Sequence, residues 1–70
     1  MFVVKNRVIK NLATVIDITL EQVKDEDKFR LRFNFDCEFY FINFLTAEET
    51  KAAFDKIVKS LEEGKAVCRL

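Results

Sequence analysis

The most regular hydrophobic pattern in the chain runs from Lys28 to Asp36. Every second residue there is apolar, and these residues are Phe29, Leu31, Phe33 and Phe35. The intervening residues are Lys28, Arg30, Arg32, Asn34 and Asp36. Because successive side chains of a β-strand point to opposite faces of the sheet, this alternation predicts a strand over 28–36 with one buried and one polar face.

A second alternating segment lies upstream, at 14–23. One parity there holds Ile16, Ile18 and Leu20, and the other holds Asp17, Thr19 and Glu21. The polar run KDEDK at 24–28 separates this segment from the strand that follows. Two alternating runs with a polar break between them are typical of a hairpin, so the sequence predicts that they pair antiparallel.

Further strands are predicted on both sides of this hairpin. Residues 39–45 (FYFINFL) are mostly aromatic or apolar and favour a strand paired with the preceding one. Near the N-terminus, 2–5 and 7–10 flank Asn6, a residue that tolerates turn conformations. These two segments form either a short hairpin or one bulged strand, and 11–13 is predicted to turn into the next strand.

The last third of the chain has the period of an α-helix. Thr46 precedes Glu49 by three residues, an arrangement that caps the start of a helix. The predicted apolar stripe consists of Phe54, Ile57, Val58 and Leu61, extended by Ala47 and Thr50. Gly64 stands where a left-handed cap would end the helix. A helix is therefore predicted over 47–63, and 64–70 is either a frayed tail or a short extra strand.

Together these elements predict a single α+β domain over 1–70. Its architecture is an antiparallel β-meander of four to five strands, followed by one C-terminal amphipathic helix packed on one face of the sheet. The chain has one glycine and no proline, so no flexible linker or repeat divides it. A domain of this length buries only about 60% of its unfolded surface, so we expect marginal stability in the absence of a partner.

The order of these segments resembles a loose group of small single-domain bacterial and phage proteins. The matching features are the turn at Lys5-Asn6-Arg7, the segment that follows it at 8–12, and an aromatic strand that runs directly into a helix at 41–57, FINFLTAEETKAAFDKI. The resemblance covers most of the chain and implies a short antiparallel sheet followed by a helix. It implies no catalytic residue, because no activity is assigned to such proteins.

The composition excludes the common kinds of catalytic and metal site. The chain has no histidine to serve as a base, and its two cysteines cannot complete a four-ligand zinc site. One glycine cannot build a phosphate-binding loop. No apolar run reaches the roughly 20 residues of a membrane span. We therefore expect no enzyme activity, no metal, no cofactor and no membrane insertion, and a cytoplasmic location.

The turn between the last two predicted strands decides which aromatic rings are buried. With a two-residue turn at Asp36-Cys37, three apolar pairs share one face: Phe33 with Tyr40, Leu31 with Ile42, and Phe29 with Phe44. Phe39 and Phe41 then lie on the opposite face, exposed in a monomer. Their neighbours there are Arg30, Arg32 and Asn34. A three-residue turn reverses the parity and turns a different set outward: Tyr40, Ile42 and Phe44.

Either register leaves apolar side chains uncovered, which predicts an interaction surface made of Phe39, Phe41, Arg30, Arg32 and Asn34. We expect a non-enzymatic protein-interaction or structural module that forms a homodimer through this surface or binds another protein. The alternative is binding of single-stranded nucleic acid, since rings stack on bases and arginines contact phosphates. The equal numbers of basic and acidic residues, twelve each, disfavour it. In a third interpretation the rings only fill a core beneath the C-terminal tail.

Overall fold

The computed structural model describes residues 1–26 and 28–70. This part of the chain contains six strands and one α-helix, with single turns of 3₁₀ helix at Leu12–Thr14 and Lys24–Glu26. The elements are β1 (Phe2–Lys5), β2 (Val8–Asn11), β3 (Asp17–Val23), β4 (Lys28–Asn34), β5 (Phe39–Phe44), α1 (Ala47–Glu62) and β6 (Val67–Arg69). The polar break predicted at 24–28 thus begins with a helical turn, and its Asp27 lies outside the described residues. α1 is not long and apolar enough to cross a membrane, nor is any other helix described.

The strands form two three-stranded sheets. In the first, β3, β4 and β5 lie side by side in chain order and pair antiparallel, with α1 following directly. In the second, β1 lies between β2, which is antiparallel to it, and β6, which is parallel. The predicted α+β class, with an antiparallel meander and a C-terminal helix, is confirmed. The strands divide into two sheets, however, and a sixth strand is added.

The sixth strand is the C-terminal tail, so the tail is a strand and is not frayed. Val3 of β1 pairs with Cys68 of β6, and both side chains are buried. Backbone hydrogen bonds of 2.8 Å extend the pairing on both sides, from Phe2 N to Ala66 O and from Leu70 N to Val4 O. Burial of the apolar tail residues against β1 stabilises this strand.

At the N-terminus the short hairpin is the correct alternative. Asn6 has a φ of 54°, in the left-handed region that asparagine tolerates better than most residues, and Lys5 pairs with Val8 across the turn. The second strand starts at Val8, one residue later than predicted. β3 starts at Asp17, later than the predicted 14, because the turn at Leu12–Thr14 comes first. The Asn11 side chain caps that turn by accepting a 3.0 Å hydrogen bond from Ala13 N.

The β4–β5 hairpin has the two-residue turn at Asp36-Cys37. Phe35 N donates to Glu38 O at 2.8 Å, and this bond closes the turn. Three apolar pairs follow, as predicted for this register: Phe33 with Tyr40, Leu31 with Ile42, and Phe29 with Phe44. These pairs form the inner face of the β3-β4-β5 sheet, which packs against α1. Leu31, Phe33 and Ile42 are buried there.

The predicted stripe on α1 is rotated relative to the stripe that contacts the sheet. The buried helical residues are Thr50, Ala53, Ile57 and Ser60. Phe54 is only half-buried, Val58 is 37% exposed and Leu61 is 53% exposed. Three of these four side chains are small, which lets the helix pack closely, while the larger Phe54, Val58 and Leu61 lie to one side, toward β3. Thr50 is tolerated in the core because its hydroxyl donates to Thr46 O at 2.8 Å.

Both ends of α1 carry the predicted caps. Thr46 Oγ1 accepts from Glu49 N at 3.1 Å, and the Glu49 carboxylate accepts from Leu45 N at 3.3 Å, one residue earlier than the usual capping box. At the other end Gly64 has a φ of 67°, and Lys65 N donates to Ser60 O at 3.0 Å. This left-handed cap turns the chain away from the helix and toward β6.

Candidate interaction surface

The face of the β3-β4-β5 sheet that points away from α1, here called the outer face, carries three columns of side chains. The β3 column holds Asp17, Thr19 and Glu21; the β4 column holds Arg30, Arg32 and Asn34; and the β5 column holds Phe39, Phe41 and Asn43. Strand pairing aligns them in three rows: Asp17-Asn34-Phe39, Thr19-Arg32-Phe41 and Glu21-Arg30-Asn43. A basic column therefore lies between an acidic column and an aromatic one.

The two arginines lie over the two phenylalanine rings. Arg30 Cζ is 3.9 Å from the centroid of Phe41, and Arg32 Cζ is 4.4 Å from that of Phe39. The two rings are tilted by 56° with their centroids 5.1 Å apart. Guanidinium groups at such distances are attracted by the negative face of the ring. The arginines and rings thus form one interleaved cluster.

Hydrogen bonds tie one of these arginines to the acidic column. Arg32 Nε donates to Asn34 Oδ1 at 2.7 Å, and the Asn34 amide donates in turn to the Asp17 carboxylate. These two hydrogen bonds connect a guanidinium, an amide and a carboxylate in one chain across the face. They fix the Arg32 guanidinium beside Phe39 and leave less of it free for an external anion.

Arg30 is held less completely. Its Nε lies 3.8 Å from Glu21 Oε2, which is an ion pair but too long for a hydrogen bond. Within the described part of the chain the buried Arg30 Nε has no hydrogen-bond partner. Stacking on the ring of Phe41 has therefore removed this N–H from water without giving it a hydrogen bond in return. A buried N–H with no hydrogen bond lowers stability.

The structure brings all five predicted surface residues together. Phe39 is 54% exposed, and the other four, Phe41, Arg30, Arg32 and Asn34, are half-buried. The sequence alternation already put Asp17, Thr19 and Glu21 on one side of β3, but these residues were not predicted to be part of the surface. The stacking of the arginines on the rings was not predicted either. The stacking depends on side-chain rotamers, for which the residue pattern carries no signal.

Lysines of the N-terminal hairpin cover other rings of the sheet. Lys10 Nζ lies 3.7 Å from the centroid of Tyr40, and Lys5 Nζ lies 5.0 Å from that of Phe44. These contacts, together with the stems of the two lysines, shield rings at the β5 side of the inner face. The surplus of aromatic side chains is thereby reduced, and Phe39 remains the most exposed ring of the outer face.

The described residues contain no cluster typical of a metal site. They contain no group of three or more histidine, cysteine, aspartate or glutamate residues that could hold a metal ion. Cys37 is exposed at the β4–β5 turn and Cys68 is buried in β6, and both are free thiols.

Comparison with known proteins finds no family model, no curated protein and no solved structure that matches this chain.

Proposed function

We propose that the protein is a small non-enzymatic interaction module that self-associates through the outer face of the β3-β4-β5 sheet. The main support is the exposure of Phe39, whose ring stays 54% exposed at the end of a cluster of rings and arginines. Aromatic and arginine side chains are enriched in protein interfaces, where they combine apolar area with directional polar contacts.

The arrangement of columns suits a second copy of the same chain. In a two-fold dimer each contact occurs twice, so a surface must complement itself. The outer face can meet this condition through Phe39, because the exposed side of this ring in one copy can pack against the same ring of the other. Complete burial of an exposed phenylalanine contributes about 1.5–3 kcal/mol, and each copy of Phe39, which is 54% exposed, would gain part of this amount.

Single-stranded nucleic acid fits the same face less well. A base would have to displace Arg30 from Phe41 before it could stack on that side of the ring, which already has a guanidinium 3.9 Å from its centroid. Asp17 and Glu21 in the neighbouring column would repel phosphates. The charges that support a protein interface therefore count against a polyanion.

Sedimentation equilibrium over low to high micromolar concentration tests the proposal. We expect the mass to rise toward twice that of one chain, and Phe39→Ser to return it to a monomer while circular dichroism stays unchanged. Ile9→Ser is the control, because it also replaces an exposed apolar side chain with serine, and Ile9 is 66% exposed on the other sheet. A wild-type protein that stays monomeric at high micromolar concentration contradicts the proposal.

Oligonucleotide retention at low salt tests the alternative. The expected result is no retardation of labelled single strands. Salt-sensitive retardation that disappears in Arg30→Ala and Arg32→Ala would replace self-association with nucleic-acid binding as the function of this face.

A further inference from the structure

An apolar groove runs between β3 and α1, on the inner side of the sheet. It has a volume of about 300 Å³, and its walls include Ile16 and Ile18 on one side and Phe54, Val58 and Leu61 on the other. Ile16 is 66% exposed, and Val58 and Leu61 are the large apolar residues of α1 whose side chains stay exposed. A second open hollow continues past Phe54 between Leu20 and Ala47. The groove therefore follows β3 for most of its length.

β3 is also a free edge of its sheet. It pairs with β4 on one side, and within residues 1–26 and 28–70 no strand pairs with its other side. An edge strand presents a row of backbone N–H and C=O groups to any extended chain that can reach it. β3 is seven residues long and contains neither proline nor glycine, so nothing in its own sequence interrupts this row. The groove and the edge lie side by side, as in sites where a peptide adds a strand to a sheet.

The strand that β3 already binds indicates the chemistry of a second one. β4 reads KFRLRFN, in which cationic residues alternate with apolar ones. Its arginines lie opposite Thr19 and Glu21, while its Leu31 and Phe33 lie opposite Leu20 and Ile18. The free side of β3 presents the same two rows of side chains, acidic on the outer face and apolar on the inner face.

The rim of the groove favours a cationic occupant over a second copy of β3. Its charged residues are Asp17, Glu48, Asp55 and Lys51, an excess of acid. Pairing β3 with another β3 would gather Asp17 and Glu21 of both copies on one narrow face, and like charges on neighbouring strands are destabilising. A strand that brings lysine or arginine to this row has the opposite effect.

We propose that the free edge of β3 and the groove beside α1 form a docking site for an extended peptide segment in which apolar residues alternate with lysine or arginine. The segment pairs with β3 through its backbone, its apolar side chains fill the groove against Val58 and Leu61, and its cations lie beside Asp17 and Glu21. The site is separate from Phe39 and Phe41, so the inference does not depend on self-association through the outer face.

Fluorescence anisotropy with a labelled, end-blocked KFRLRFN peptide tests the docking site. We expect saturable binding that weakens with salt, and at least tenfold weaker binding of the acidic counterpart EFELEFN, which keeps every apolar residue. On the protein, Val58→Asp should weaken binding at least tenfold. Leu45→Ser, a change at an apolar residue that is 86% exposed outside the groove, should leave the affinity within twofold. Circular dichroism establishes that both variants are folded.

Methylation of the peptide's backbone nitrogens distinguishes strand addition from apolar side-chain contact alone. Of two peptides methylated at alternate positions, one keeps its N–H groups toward β3 and should bind, whereas the other should not. Amide resonances of β3, Val58 and Leu61 should shift on binding, while those of Phe39 and Phe41 should not.

Three results would overturn the inference. The first is equal binding of the two methylated peptides, and the second is affinity that Val58→Asp leaves unchanged. The third is a Val58→Asp variant that lowers the mass of the free protein but does not weaken peptide binding. That result would assign the groove to a second copy of the chain. Loss of dimerisation in Phe39→Ser with peptide binding intact would separate this site from the outer face.

Discussion

The two faces of the β3-β4-β5 sheet hold similar residues in different surroundings. On the inner face Leu31, Phe33 and Ile42 are buried beneath α1. On the outer face the rings of Phe39 and Phe41 are covered only in part, by arginines from the adjacent strand. Apolar burial by a helix excludes water from the whole side chain, whereas a stacked guanidinium shields only one side of a ring. One short strand can therefore contribute alternate residues to a core and keep the others on a surface that is free to bind.

Removing a ring from the inner face should have the largest effect. Phe33 is fully buried at the centre of the sheet, so Phe33→Ala leaves a cavity and should lower the free energy of unfolding by about 3–5 kcal/mol. That is a large part of the stability expected for a small domain. Urea denaturation followed by circular dichroism measures it. A loss below about 1 kcal/mol would mean that the inner face is not the core of the fold.

A ring at the margin of the inner face should matter less. Phe54 lies on the groove side of α1 and is half-buried, so Phe54→Ala should cost about 2 kcal/mol, less than the 3–5 kcal/mol of a fully buried ring. Urea denaturation of this variant beside Phe33→Ala gives the ratio directly. Equal losses would show that Phe54 closes over the groove in solution and that the two rings are equally buried.

The smallest loss of stability should follow a change on the outer face. Phe41→Ser removes the ring beneath Arg30 but leaves the core intact, so we expect a cost of about 1 kcal/mol, the order of a cation–π contact. Self-association should be lost at the same time, since the ring column is broken. Urea denaturation and sedimentation of the same sample separate the two effects. Global unfolding of Phe41→Ser would erase the distinction between the faces.

The part of the fold that the sequence predicted is the part with local signals. The alternation at 28–36 and a two-residue turn at Asp36-Cys37 together determine which residues share a face, and they place Phe39 and Phe41 beside Arg30 and Arg32. Helix caps are equally local, because Thr46 and Gly64 act on backbone groups within one turn of themselves.

What the sequence did not predict depends on distant or rotameric contacts. β1 and β6 pair across nearly the whole chain, and no local pattern indicates which strand will accept an apolar tail. The predicted helical stripe included Thr50 and Ile57, which are buried, but it placed Val58 and Leu61 on the sheet side, where the helix instead buries Ala53 and Ser60. Apolar periodicity predicts that the helix has a buried side. It does not give the rotation of the helix about its axis when small polar residues lie at the border of that side.

The parallel pairing of β1 with β6 has a consequence for how the protein is made. Val3 is translated well before its strand partner Cys68, which follows it by more than sixty positions. The β2-β1-β6 sheet therefore cannot be completed while the intervening chain is being synthesised. During that time the side of β1 that pairs with β6 has no partner. Pairing of such remote segments also slows folding, since a long loop must be ordered before the contact is gained. Nascent chains stalled ahead of β6 should accordingly be protease-sensitive at β1, and this sensitivity should end when β6 emerges and pairs with β1.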